Sequence, residues 1–263
     1  MILDNFKLTD KVAIITGAGK GIGRGIALGF AEAGADIVRA ARTEADLETT
    51  VKAVEERGRR AIAVPTDVLK TADLENLVQR AEAAFGRIDI LVNNAGGTGP
   101  QPALDTSEEF FESALRFNVT APFLLTRMAV PRMVATAGGG AVVNISSRAS
   151  DMVQTSFVAY ASGKAALNMM TRNFAAEVAP KVRLNAISVG GVATQSLDVV
   201  LTDDNLRRQF NENTPMRRPG EVEDIACAAL YLASPAADWV TGKVFQVDGG
   251  VEAPSISVPV PEL

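Results

Sequence analysis

Seven short runs rich in β-branched residues, each followed by a longer amphipathic segment, restrict this chain to few architectures. The runs are KVAIIT from Lys11, DIVRA from Asp36, RAIAV from Arg60, IDILVN from Ile88, GAVVNIS from Gly140, VRLNAIS from Val182 and KVFQVD from Lys243. A strand that returns to a parallel neighbour through a helix does so by a right-handed crossover. Repetition of that unit builds one parallel sheet with helices on both faces. The pattern predicts an α/β fold with a seven-stranded parallel sheet. The 263 residues show no linker, repeat or low-complexity tract, so 1–263 are expected to form a single domain. Two helix starts are expected at capping boxes, Thr43 with Asp46 and Thr106 with Glu109.

Composition removes whole classes of chemistry. There is no histidine and one cysteine, Cys227, so neither a Ser-His-Asp nor a Cys-His nucleophile system is available, and no metal site is expected. Cys227 lies in the apolar stretch DIACAALYLA and is expected to be a small buried core residue. The 26 basic and 31 acidic residues are mixed along the chain, which argues against nucleic acid or an anionic membrane as a partner. No apolar run approaches membrane-spanning length, and the N-terminus MILDNFKLTDK lacks the features of a secretion signal; a cytoplasmic protein is expected.

After the first strand comes TGAGKGIG, residues 16–23, and then a helical segment. Gly17, Gly21 and Gly23 permit a tight turn and close approach to a pyrophosphate, with Lys20 and Ile22 between them. The spacing is not GxGxxG, and a purely structural glycine turn is the alternative; its place in the first βαβ unit favours a dinucleotide. About 20 residues further on, an acid would grip the ribose 2′-hydroxyl of NAD. Here stand Ala41 and Arg42. Arg42, with Lys20, would instead hold a 2′-phosphate, unless both are solvated surface charges. NADP(H) is the expected cofactor, with NAD(H) possible.

Tyr160 stands four residues before Lys164 in AYASGKAAL. On a helix, positions i and i+4 share a face. A cation about 5 Å from a phenol, at an effective dielectric of about 20, contributes roughly 3 kcal/mol, or about two pKa units. The phenol is then expected to titrate low enough for general acid and base work. A core tyrosine beside an exposed lysine is the alternative.

These residues together resemble the short-chain dehydrogenase/reductase family over nearly the whole chain. The resemblance is carried by TGAGKGIG, Asp67-Val68, NNAG from Asn93, Asn118, NISS from Asn144, Tyr160-x-x-x-Lys164, Thr194 and VDGG from Val247. It implies a Rossmann fold and a hydride transfer between NADP(H) and a carbonyl or secondary alcohol. Tyr160 would be the general acid/base, Lys164 would hold the nicotinamide ribose, Ser147 would bond the substrate oxygen, and Asn118 would shape a proton relay. Asp67 and Val68 would meet the adenine, although Asp67 could be an Asx-turn residue. Asn94, Ala95 and Gly96 would line the adenosine ribose, and Val192 and Thr194 would meet the carboxamide. A noncatalytic NADP-sensing regulator is the alternative on the same fold.

The family's usual proline after strand six is Val189 here, followed by Gly190-Gly191, so a flexible turn is expected beside the nicotinamide. Residues 195–210 are expected to form a lid, and with the pocket-forming stretches GGTGPQPAL after Ala95 and RASDMVQTSF before Tyr160, all mostly apolar or uncharged, they suggest a hydrophobic carbonyl substrate. The resemblance also implies a homotetramer, its subunits paired through helices over 107–136 and 157–178. Prolines favour an extended tail over 251–263, either frayed or docked through Ile256, Val258, Val260 and Leu263. Tyr231 is read as core packing.

Overall fold

The computed structural model describes residues 1–256, 258 and 260, apart from the side chains of 44–48 and 199. Its strands are β1 (Val12–Thr16), β2 (Asp36–Ala41), β3 (Ala61–Pro65), β4 (Ile90–Asn93), β5 (Gly140–Ser147), β6 (Val182–Val189) and β7 (Val244–Val247). Each falls within one of the seven apolar runs or overlaps it to within one residue. They pair in parallel in the order β3-β2-β1-β4-β5-β6-β7. The helices are α1 (Gly21–Glu32), α2 (Glu44–Glu55), α3 (Thr71–Phe85), α4 (Glu108–Leu115), α5 (Ala121–Ala137), α6 (Val158–Val178), α7 (Asp198–Thr202), α8 (Asp204–Asn213) and α9 (Val222–Ala233).

Strands covered on both faces are apolar throughout rather than alternating, and β1 shows the result: Ile14 and Ile15 are both fully buried, on opposite sides. Ile15 and Ile37 join Ile26 and Phe30 of α1, Val54 of α2 and Ile225 and Leu232 of α9. Ile14 and Val38 join Leu74 and Leu77 of α3, Leu125 and Met133 of α5 and Ala175 of α6. The architecture is a Rossmann-type α/β fold. The chain reverses its direction of travel across the sheet between β3 and β4, so the ends of β1 and β4 form the crevice where such folds bind ligands.

Three local expectations need correction. The helix start near residue 107 is capped by Ser107, whose Oγ accepts from Phe110 N at 3.2 Å, because Thr106 turns back to donate to Pro102 O at 2.9 Å. Thr43 does precede α2 but makes no side-chain capping bond, and the Asp46 side chain lies outside the described residues. Cys227 is exposed: the buried stripe of α9 runs through Ile225, Ala229 and Leu232, and residue 227 falls on another face. Tyr231 does pack, between Phe6 and Phe245 at ring separations of 6.2 and 6.1 Å. Among the described residues, no helix is long and apolar enough to cross a membrane.

Candidate active site

The site begins where β1 and β4 end side by side. Thr16 Oγ1 donates to Val92 O at 3.3 Å and accepts from Asn94 N and Ala95 N, each at 3.0 Å. The Asn94 amide donates to Thr16 O at 2.9 Å and Gly17 O at 3.2 Å. A Cβ on Gly17 or Gly23 would stand 2.7 or 2.5 Å from that amide nitrogen. These two glycines therefore make room for Asn94, and Asn94 is committed to holding the loop as well as lining the crevice. The loop is tied to β2 by Ala18 N donating to Ala40 O at 3.2 Å and by the buried Arg39 guanidinium donating to Ala18 O.

Gly21 opens α1 with a φ of +51°, and a Cβ there would meet the Thr194 methyl at 3.2 Å. The first turn of α1 has no side-chain cap and no acidic residue. Such a helix end, reached over glycine, fits a pyrophosphate. Arg42 is exposed in the bend after β2, and Ala41 occupies the strand's end with no acid.

A cavity of about 710 Å³ continues from this loop. Its wall includes Lys20, Gly21, Ile22, Asn94, Gly96, Ser147, Tyr160, Lys164, Val192 and Thr194. Gly17, Gly23, Ala95, Arg42, Asp67, Val68 and Asn118 are not on that wall. Asp67 Oδ1 accepts from Leu69 N at 3.1 Å in an Asx turn, and Val68 packs against the core of the α3 face.

Asn118 lies behind the wall in a π-helical turn, Arg116–Thr120, between α4 and α5. Its amide donates to Ala114 O at 2.9 Å, four residues earlier, while its Oδ1 accepts from Gly97 N at 3.0 Å. A π turn displaces helical carbonyls from their usual partners, and the Asn118 amide satisfies one of them. A Cβ on Gly96 would stand 3.0 Å from both Asn118 Oδ1 and Lys164 Nζ, so the three residues converge.

Ser146 Oγ is buried and turned to Lys164 O at 3.5 Å, whereas the Ser147 hydroxyl accepts from Ala149 N at 3.2 Å on the cavity side. Lys164 is buried and donates to Ile145 O at 2.8 Å. Burial lowers its pKa from 10.5 to about 8. The Tyr160 phenol is raised above its ordinary value by desolvation, opposed by a hydrogen bond with Ser147. The expected lowering of Tyr160 by Lys164 is therefore corrected. The ammonium sits over the ring, 5.8 Å from its centroid, and the burial of the phenol itself outweighs what the cation offers.

Gly190 and Gly191 do not form the flexible turn expected of them. A Cβ on Gly190 would stand 2.6 Å from Asp248 Cα, and one on Gly191 2.5 Å from the buried Phe210 ring. Gly190 N bonds Val247 O at 3.1 Å, and Gly220 N bonds Gly191 O at 2.9 Å. Close packing, rather than freedom of the backbone, uses the glycines here. Of the expected lid, Gln195 and Ser196 reach the cavity, and Phe210 of α8 packs beside Gly191. Phe157, edge-on to Tyr160 at 6.1 Å between centroids, and the Gly97–Pro100 loop also form the wall. The segments holding them read as pocket-forming, but nothing in the residue types marks Phe157 individually.

A family model described as enoyl-(acyl carrier protein) reductase matches residues 17–252. An uncharacterised oxidoreductase of Mycobacterium tuberculosis, MT0954, is 46% identical over 263 residues, which is all of both chains. A solved 7α-hydroxysteroid dehydrogenase, complexed with NADH and 7-oxo glycochenodeoxycholic acid, superposes with a TM-score of 0.90 at 39% identity, covering 94% of this chain and 96% of that one. A gluconate 5-dehydrogenase of Burkholderia cenocepacia, in complex with NADP and tartrate, gives 0.89 at 33% identity, covering 95% and 98%. These similarities reach from the glycine loop to the last strand, and with the sheet order and crevice described above they place this chain in the short-chain dehydrogenase/reductase family of nicotinamide-dependent oxidoreductases.

Proposed function

We propose that the protein transfers a hydride between NADP(H) and a carbonyl or secondary alcohol of a hydrophobic substrate, with Tyr160 as general acid/base. The observation that carries this reading is that Ser147, Tyr160 and Lys164 meet on the wall of one cavity that starts at the glycine loop. When bound, the nicotinamide supplies or accepts the hydride. The phenol, protonated at neutral pH and the more so for its burial, gives its proton to the carbonyl oxygen during reduction. Ser147 holds the same oxygen, and the Lys164 charge stabilises the phenolate that forms. Asn118, bonded to the Gly97 loop beside Lys164, positions the path by which the proton is replaced.

Relatives of this chain have been solved with NADH and with NADP, so the choice rests on this chain's own residues. Ala41 leaves the 2′-position without a carboxylate, and exposed Arg42 and Lys20 supply positive charge at that end. At the other end, the wall offers Gly97, Thr98, Pro100, Phe157 and Gln195, none of them charged. That favours a neutral hydrophobic ketone over a sugar acid. Exposed Phe123 and Val134 of α5, Met169 of α6 and Trp239 support self-association as a homotetramer, which light scattering checks.

The test is turnover with 4-deuterated NADPH and NADH against steroid ketones, quinones, 3-oxoacyl thioesters, small aldehydes and sugar acids. Deuterium is expected at the carbinol carbon of an apolar ketone, with NADPH preferred. Turnover confined to sugar acids, or to NADH, overturns the corresponding part of the reading.

A further inference from the structure

Arg148 follows Ser147 directly, and despite its charge it is only 5% exposed. Its Nη1 lies 2.7 Å from Asp151 Oδ2, its Nη2 donates to Val251 O at 3.0 Å, its Nε lies 2.7 Å from Asp248 Oδ2, and Glu252 is 3.7 Å away. A buried guanidinium held by several oxygens is fixed in place, since moving it would leave a desolvated charge. It joins the end of β5, where Ser147 stands, to the chain leaving β7.

That chain is itself held. Gly249 and Gly250 have φ of +73° and +85° and pass against Thr214 and Pro215, where Met216 N donates to Gly249 O at 3.1 Å. Val251 is buried. Further on, Ser255 O accepts from Asn213 Nδ2 at 3.0 Å, and Ser255 Oγ lies 3.0 Å from Thr214 Oγ1. Val258 O accepts from Thr155 Oγ1 at 2.6 Å. The tail thus bridges the end of α8 and the 151–157 segment. That segment leads into Phe157 and Tyr160, and it is bonded across to the other wall by Gln101 N donating to Ser156 O at 2.6 Å.

We propose that the tail, through residues 252–256 and 258, is a strap that sets the substrate end of the cavity, and that Arg148 is the positioning residue anchoring it to Ser147. The proposal rests on the roles given above to Ser147 and Tyr160. In its terms the strap acts on the carbonyl substrate and leaves the cofactor end untouched, because among the described residues its hydrogen bonds and ion pairs go to Arg148, the 151–157 segment and residues 213–214, and none goes to the glycine loop.

The strap is tested by deleting residues 254–263, with NADPH and two neutral probes, 9,10-phenanthrenequinone and the steroid ketone 5α-androstane-3,17-dione. Loss of one or two net hydrogen bonds corresponds to a KM for the probe raised about three- to tenfold, with kcat and the KM for NADPH held within about twofold. Hydrogen exchange reads the clasp independently of turnover: amides of 149–157 and 213–216 are expected to exchange faster, and those of 12–41 at the original rate. Unchanged probe KM with unchanged exchange overturns the strap, and so does an equal rise in the KM for NADPH. The anchor is tested by Arg148→Met and Arg148→Lys. The first is expected to lower kcat about tenfold, and the second to recover most of that loss. Equal loss in both, or none in either, overturns the anchor. Tyr160→Phe, run beside them, is expected to lose turnover with exchange unaltered, so a failure of the hydride-transfer reading is distinguishable from a failure of the strap.

Discussion

Lys164 Nζ lies over the Tyr160 ring, 5.8 Å from its centroid, and its hydrogen bond goes to Ile145 O at 2.8 Å. The cation is close enough to stabilise a phenolate once one forms, yet it does not ionise the phenol beforehand. Tyr160 therefore rests in its protonated form, and in the proposed reaction the charge on Lys164 becomes the quantity that pH controls.

Burial lowers Lys164 from 10.5 to about 8. Its charge is present below that value and lost as pH rises through it. For carbonyl reduction, kcat/KM is expected to fall with rising pH, with a midpoint near 8, as support for the phenolate disappears. Lys164→Arg, whose guanidinium stays charged, is expected to remove that limb. A pH profile of both proteins checks this.

The same depressed pKa carries a stability cost. Between about 8 and 10.5 the unfolded chain holds the lysine proton more tightly than the folded one, so stability rises with pH through that window and the full cost is present below it. The difference corresponds to about 3 kcal/mol, less about 1 kcal/mol for the bond to Ile145. Lys164→Met is expected to raise Tm at pH 7 by about 4–8 °C while abolishing turnover. The Tm advantage is expected to disappear by about pH 10. Calorimetry at the two pH values decides it.

The strands were legible because a buried parallel strand must be apolar on both faces, and all seven were found in runs such as GAVVNIS and VRLNAIS. The pairing of Ser147, Tyr160 and Lys164 was legible because i,i+4 spacing on α6 fixes two of them on one side. What was hidden depends on contacts distant in sequence. Asn94 fills the space left by Gly17 and Gly23, and Phe210 fills the space beside Gly191; neither partner is visible from the glycines themselves. The exposure of Cys227 was missed because an apolar neighbourhood was taken for an apolar face. The sign of the Tyr160 shift was missed because spacing reveals a nearby lysine but not the burial of the phenol.

Gly191 offers a direct test of that packing. A Cβ there would stand 2.5 Å from the Phe210 ring. Gly191→Ala is expected to displace α8, costing about 1–3 kcal/mol and lowering Tm by roughly 2–10 °C. Thermal unfolding of the variant against the parent protein measures it, and an unchanged Tm would mean the loop is as loose as its sequence suggests.

Arg42 is expected to set cofactor preference. Arg42→Asp replaces an attraction for the 2′-phosphate with a repulsion, and the ratio of kcat/KM for NADPH over NADH is expected to drop at least about tenfold. Titration of both cofactors against both proteins checks this. A ratio that does not move identifies Arg42 as a surface charge alone.

The most direct measurement is single-turnover reduction by Tyr160→Phe. The substitution keeps the ring against Phe157 and removes only the transferable proton. Turnover is expected to fall by about two to four orders of magnitude with Tm and NADPH affinity preserved. A variant that folds, binds NADPH and reduces its ketone at near the parent rate would contradict Tyr160 as the proton donor.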